Sequence, residues 1–579
     1  MSSIFFANRR ISVPGVVSTV NVDAMEQPTL GPSRSVTVIA TALGGKPQDV
    51  TVIRALDEIR TKLIGGEGAK LVEITMNPSQ QLAGASEVNF IRVGNPTQAT
   101  ADLGHGILKS KLYGKPGNAN RFKQIINTDG SIDFYSENTF LNVKGEDLRG
   151  LGPVIDLTYV GSNSIPSVTI TDDGGDKTLT LVGDDTNVFT ADMVNRTEDL
   201  IAAINSTAEW SARAVGLLRN VPLNDLLAQT YTLSGNKTKL TIGGKALQYA
   251  LEDSGLLEFQ FTGGTPTAVN SWKFMTGGSE GATPTLSDWL AAIEVAKRFE
   301  THSIVCGTGN PLVLAAAKDH VISQSDARHR KERFLYAGPT KSTTKTGFRA
   351  SVQELCKTLG KENVVVVANE PALVSRDTGK REVYPAYYYA AMLAGMKAGN
   401  RPEISPTNKQ LDVFDFNYSF DIDELEDLLS MGACPAHFNE ISGNWVCTQA
   451  ITTYTASNNA VLTKQQGVDV AFTLSKLVRY RLDSEIGERG NQATVNTILN
   501  KVVGVLNEQV STITNPDGLI TPGVNEKGEP EPAYKNVKVI YGAGGLDVVG
   551  VTYEAHPVGE VAFITVTAYL TPIRIIASA

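Results

Sequence analysis

Apolar positions along this chain change their period twice, and the changes divide it. Ser35–Leu43 (SVTVIATAL) reads as a strand, followed by a Gly-Gly-Lys-Pro turn. Val52, Ala55, Leu56, Ile59 and Leu63 then recur at helical spacing, with Asp57, Glu58 and Arg60 on the opposite face. Glu87–Val93 (EVNFIRV) predicts a second strand. From 105 to about 270 the chain becomes rich in Thr, Gly, Asn and Asp, with short alternating runs. Ser167–Ile170 and Thr178–Val182 flank Asp-Asp-Gly-Gly-Asp, and Tyr231–Leu233 and Lys239–Ile242 flank Ser-Gly-Asn-Lys, so both pairs predict hairpins. One helix, Glu198 to about Val215, interrupts them, with Leu200, Ile201 and Ile204 on one face.

The character reverts at Thr276-Gly277-Gly278-Ser279-Glu280-Gly281. Thr285 and Ser287 are candidate N-caps with Asp288 in the first turn. Trp289, Leu290, Ile293, Ala296 and Phe299 mark an amphipathic helix. Strand Ser303–Gly307, helix Pro311–Ser323, strand Arg333–Gly338, helix Ser351–Leu359 and strand Asn363–Asn369 (NVVVVAN) follow. This alternation predicts a parallel or mixed sheet wrapped by helices. Helices Gly467–Ile486 and Ala493–Val510, then strands Val537–Gly542 and Val548–Tyr553, complete the pattern.

Both ends read as free strands. Ile11 to Val22 is β-branched with a Pro-Gly break, and Glu560 to Ile576 (EVAFITVTAYLTPIRII) is broken only by Pro572. Neither carries a hairpin turn, so each would leave a row of backbone donors and acceptors unpaired. Another chain is the economical partner. Val16, Val17, Ser18, Thr19 and Val20 at the start, with Val561, Phe563, Thr565, Ile573 and Ile575 at the end, are the residues expected to exchange between subunits. An arm of about 22 residues reaches about 70 Å.

A chain of 579 residues exceeds one core, so two to four domains are expected. Its composition, 41% hydrophobic and 20% charged, is that of globular protein, and a net charge of −9 argues against a nucleic-acid-binding role. Met1–Arg10 has no apolar segment of leader length. The longest apolar run, Tyr387–Met396, is half a membrane span, so no membrane insertion is expected. Cys306, Cys356, Cys434 and Cys447 are scattered in apolar surroundings and read as free, reduced thiols, pointing to a cytoplasmic origin.

Motifs of catalysis are missing from the pattern. There is no GxGxxG, GxxxxGK[ST] or HExxH, and no cofactor or metal is expected. His437 lies near Cys434 and Cys447, but a zinc site lacks its fourth ligand and paired spacing. Arg328-His329-Arg330-Lys331-Glu332-Arg333 stands between a helix and a strand, as a solvated or intersubunit face. Asp421-Ile422-Asp423-Glu424-Leu425-Glu426-Asp427 lacks the spacing of a calcium loop and fits an acidic first helical turn. Gly277 and Gly278 fit a plain turn better than an anion cradle. In helix Gly467–Ile486, Lys476 and Arg479 share a face with Arg481 to one side, while Leu474, Leu477, Val478 and Leu482 form the buried stripe.

Several passages in order resemble the contractile tail sheath proteins of myophages and related injection systems. They are Ser12-Val13-Pro14-Gly15-Val16; Leu108-Lys109-Ser110-Lys111-Leu112-Tyr113-Gly114 with Gly117-Asn118-Ala119-Asn120; and the Thr276–Gly281 junction before the Trp289 helix. Tyr384-Pro385-Ala386-Tyr387 through Ala394-Gly395-Met396-Lys397-Ala398-Gly399 and Ile404-Ser405-Pro406-Thr407-Asn408-Lys409 continue the series. Val17 departs from it, standing where an aromatic is common.

The resemblance implies a multidomain α/β (α+β) protein with a discontinuous α/β core built from both ends of the chain, a mostly β inserted domain and extended terminal arms. The expected divisions are 1–25 (arm), 26–104 (core), 105–275 (insertion), 276–400 (α/β sheath domain), 401–555 (C-terminal core) and 556–579 (strand arm). It implies a non-enzymatic subunit that polymerises as a helical sleeve of stacked rings around a tail tube and contracts to drive the tube through the host envelope. The implied partners are further copies, the tail tube protein, and baseplate and tail terminator proteins, in a virion assembled in the host cytoplasm. A bacterial injection-system sheath and a ligand-binding α/β enzyme are the alternatives. Lys476, Arg479 and Arg481 are the expected tube-facing residues, because exposed charge pairs grip weakly enough to release.

Overall fold

The computed structural model describes residues 34–562, apart from 219, 376–377, 458, 525–526 and 543–547, together with the backbone of 4–6 and 9–11. Its centre is a seven-stranded sheet drawn from two distant parts of the chain. In spatial order the strands are Ala433–Cys434, Val364–Val367, Phe334–Ala337, Ser303–Cys306, Val36–Ala40, Val88–Arg92 and Val50–Ile53. All neighbours pair in parallel except the edge strand Val50–Ile53. Val36 sits opposite Ser303 in register, so the join between the two parts of the chain falls mid-sheet. These strands are continuous apolar runs because helices cover both faces, and Val36–Ala40 and Val364–Val367 are buried throughout.

One covering element is a central helix, Tyr387–Gly399, buried along nearly its whole length. It is the long apolar run noted above, lying inside the core. Small residues let it approach helix Glu67–Met76: a Cβ on Gly395 would stand 2.1 Å from the Thr75 carbonyl oxygen. Among the described residues no helix is long and apolar enough to cross a membrane.

Residues 98–275 leave this core and build a second hydrophobic cluster, running from Ala99 to Met275. It is almost all antiparallel sheet, in two four-stranded and two three-stranded pieces. Ser167–Asp173 and Asp176–Val182 form the expected hairpin. The insertion meets the core at a neck. Thr97 and Ser279 form an isolated antiparallel bridge, Asn118 exchanges two hydrogen bonds with Gly278, and Glu280 accepts from buried Arg92 at 2.6 Å. Two of the passages that carry the family resemblance therefore touch each other.

A third cluster packs helices Gln465–Leu482 and Gln492–Glu508 against a hairpin of Tyr534–Tyr541 and Val549–Ala555.

Three expectations are corrected, and one helix is additional to those expected. Val52 belongs to an antiparallel edge strand and the helix begins only at Leu56; the apolar spacing fitted both periods. Helix Glu67–Met76 carries no separate sequence signal strong enough to have been expected. The insertion's helix is Thr197–Asn205, and Trp210–Ala214 is a strand pairing with 155–159. Thr230–Tyr231 and Lys237–Thr241 are not a ladder pair: the first joins Val168–Thr169 and the second joins 153–158, leaving only a Ser234–Lys237 bridge. The turn was read correctly, but its flanks found better-buried partners. Ile4–Phe6 pairs antiparallel with Arg9–Ile11, at the upstream edge of the Ile11–Val22 segment, whose residues after Ile11 lie outside the described residues.

Candidate assembly interface

The roots of both terminal segments lie on described residues, and each is fastened to the start of helix Gln465–Leu482. At the N-terminal root, Arg34 meets buried Asp469 at 2.9 Å and also donates to the Lys397 carbonyl. Asp469 further binds the Lys397 ammonium at 3.0 Å and His302 Nε2 at 3.1 Å. Burial opposes a charge on Asp469, but Arg34, Lys397 and His302 outweigh it and hold the carboxyl well below the usual range. Burial, reinforced by Arg34, pushes His302 down to about 4, so its imidazole is neutral.

At the C-terminal root, Glu560 binds Lys464 at 2.8 Å and accepts from the Thr407 hydroxyl at 2.9 Å. Gln466 donates to the Val558 carbonyl at 3.0 Å, and the Val558 amide donates to the Leu519 carbonyl. Lys464 is the residue at which the helix starts, where a cation is disfavoured by the helix dipole and a carboxylate is favoured; Glu560 brings the favoured sign there.

Of the residues expected to exchange strands, Val561 is exposed and outside any described strand. Val16, Val17, Ser18, Thr19, Val20, Phe563, Thr565, Ile573 and Ile575 lie outside the described residues. The hairpin Tyr534–Tyr541 with Val549–Ala555 is two-stranded, so each strand keeps one edge unpaired by another strand among the described residues. Beside it opens a cleft of about 440 Å³ lined by Leu482, Ile486, Ile498, Tyr541, Val549 and Val551, with Ile486 largely exposed.

The expected tube-facing residues are not free. Lys476 reaches Glu300 at 2.7 Å, Arg479 reaches buried Glu332 at 2.6 Å, and Arg481 reaches Glu508 at 2.9 Å. Lys476 and Arg479 tie the C-terminal helices to the α/β core, and Arg481 ties the helix pair together. The basic run 328–333 is likewise divided. Arg333 is fully buried, donating to the Ala296 and Phe299 carbonyls and to His320, and Glu332 faces Arg479. It is not a single charged face, because its last two residues are buried just before strand Phe334–Ala337.

The other chemistry-bearing residues serve the fold. Asp421 caps helix Ile422–Ser430 in a capping box with Glu424, which also pairs with Lys345 and Arg349. All four cysteines are free and buried, and His437 hydrogen-bonds Thr448. Among the described residues no group of His, Cys, Asp and Glu is arranged to hold a metal ion.

No family model matches the chain. The tail sheath protein of Bacillus phage SP01 is 27% identical over 527 residues, spanning 88% of this chain and 90% of that protein. This chain is similar to the phage tail sheath proteins along most of its length. A putative tail sheath protein of Enterococcus phage phiEF24C is 22% identical over 533 residues, 87% of this chain and 90% of its own length. The crystal structure of the sheath tail protein from Desulfitobacterium hafniense matches with a TM-score of 0.53 at 16% identity, covering 94% of this chain and 97% of that one. At that identity the match speaks for the fold, and it extends the sheath likeness through the insertion as well as the core.

Proposed function

We propose that this chain is the structural subunit of a contractile phage tail sheath. The observation that carries the reading is the relation to phage tail sheath proteins along about nine-tenths of both chains. Subunits assemble as a helical sleeve of stacked rings around a tail tube, bounded by baseplate and terminator proteins. Contraction drives the tube through the host envelope. The role is mechanical and non-enzymatic, and the particle is a virion built in the host cytoplasm.

The terminal segments link neighbours by strand exchange in this reading. The two-stranded hairpin Tyr534–Tyr541 with Val549–Ala555 supports it, since among the described residues it offers free edges beside a cleft of mixed apolar and polar lining. A strand added there forms about four backbone bonds, each contributing about 0.5–1.5 kcal/mol. That is modest for one joint and considerable over a lattice, so subunits stay linked while their broader contacts are remade.

Negative-stain microscopy of the purified chain tests the proposal. Hollow striated tubes are the expected result. Monodisperse small particles at concentrations where related sheaths polymerise would count against it.

A further inference from the structure

The two terminal roots are far apart in sequence yet fastened within six residues of one helix. Lys464 and Gln466 hold the root at Val558 and Glu560, while Asp469 holds the root at Arg34. We infer that the first two turns of helix Gln465–Leu482 are a common anchor for both terminal arms, so that tension entering a subunit through one arm leaves through the other without crossing the central sheet. This rests on the reading of the arms as links between subunits.

Three observations carry it. The contacts are ion pairs shielded from solvent: Asp469 and Lys397 are buried, and Glu560 is nearly so. Each root has a backbone bond of its own beside the charged contact. The His302 amide donates to the Ser35 carbonyl next to Arg34, and the Val558 amide donates to Leu519. The anchor's own start is braced from behind, because Gly467 packs directly on the Val461 backbone, where a Cβ would stand 2.5 Å from the carbonyl oxygen. A shared anchor also explains why a charge is placed inside the protein at all. A buried pair adds little net stability but fixes geometry strictly. Two links leaving every subunit of a lattice need a fixed relative position.

Hydrogen exchange on the unassembled full-length subunit tests the anchor without requiring polymerisation. Arg34→Met leaves Asp469 balanced by Lys397 and should speed exchange at the His302 amide by about tenfold or more, leaving Val558 unchanged. Glu560→Gln should do the converse. Gly467→Ala, which displaces the helix start, should speed both sites together while the strand Val364–Val367 stays protected. If Gly467→Ala opens one root alone, or neither, the anchor is not shared. Should that variant lose protection throughout, the two single-root variants decide, and unchanged exchange in both overturns the inference. Assembly of a chain lacking residues 1–22 is a separate readout. Normal tubes from it would remove the linkage reading, while the exchange result would still report whether the anchor exists.

Discussion

His302 and His320 are neutral imidazoles in the folded subunit at neutral pH. His302 faces Asp469, Arg34, Lys397 and the Phe334 ring, and burial pushes it down to about 4. Burial, with Arg333 and Lys297, pushes His320 down to about 3. Unfolded histidine titrates near 6.5, so both folded values lie below the unfolded one. Their contribution to stability is therefore complete above about pH 6.5 and is lost as the pH falls through 6 and 5 towards 4. Asp469 adds a further loss that begins as the pH falls through the ordinary carboxylate range and continues below it. Thermal denaturation of the unassembled subunit should show a falling Tm between pH 6.5 and 4.5, and His302→Gln should flatten the fall. A Tm constant over that interval would contradict the assignment. Gly395 gives a second test at this scale. Because its missing Cβ is what lets two helices touch, Gly395→Ala should cost about 2–3 kcal/mol in denaturant unfolding, whereas exposed Gly255, with nothing near its Cβ position and no left-handed backbone, should tolerate Ala.

Among the elements, helix Gln465–Leu482 changes most between sequence and structure. Its basic residues were legible from spacing alone. Their acceptors were not, because Glu300 lies 176 residues from Lys476 and Glu332 lies 147 from Arg479. This alters how tube contact should be probed. Reversing Lys476 and Arg479 would break pairs that hold the chain's own core, so failed co-assembly would say little about a tube. Arg481 is more exposed and its partner Glu508 is exposed too, so Arg481→Glu costs the fold about 0–1 kcal/mol. Should this helix face a tube, Arg481→Glu leaves sheath-only polymers intact and lowers co-assembly with tubes by sedimentation; unchanged co-sedimentation removes Arg481 from the contact. The same limit governed strands. Val364–Val367 was legible because burial on both faces makes it uniformly apolar. Tyr231 and Lys239 misled because a turn signal shows where the chain reverses, while partner choice depends on what the distant strands 153–159 and 167–173 bury.

Across the whole molecule, the switch from α/β to antiparallel β was legible as a change of period and composition. The neck that joins them was not, since Arg92 and Glu280 are ordinary residues until the fold brings them together. Thr97 and Ser279 pair across that neck, so the ends left by removing 98–278 lie about 5.5 Å apart and a two-residue linker can join them. The shortened chain should keep a cooperative unfolding transition and exchange protection at Val364–Val367; loss of both would show that the insertion is required for the core. The split sheet has a further consequence, in time. Strand Val36–Ala40 cannot gain its neighbour Ser303–Cys306 until some 260 residues more have been made, and Arg34 waits 435 residues for Asp469. At about 5–20 residues per second the second wait lasts about 20–90 s. A ribosome-bound chain thus has no anchored N-terminal root for most of its synthesis. In the linkage reading proposed above, competence to join a lattice would arrive only as the last fifth of the chain emerges, and the order of the gene would work as a delay that keeps unfinished subunits out of a polymer.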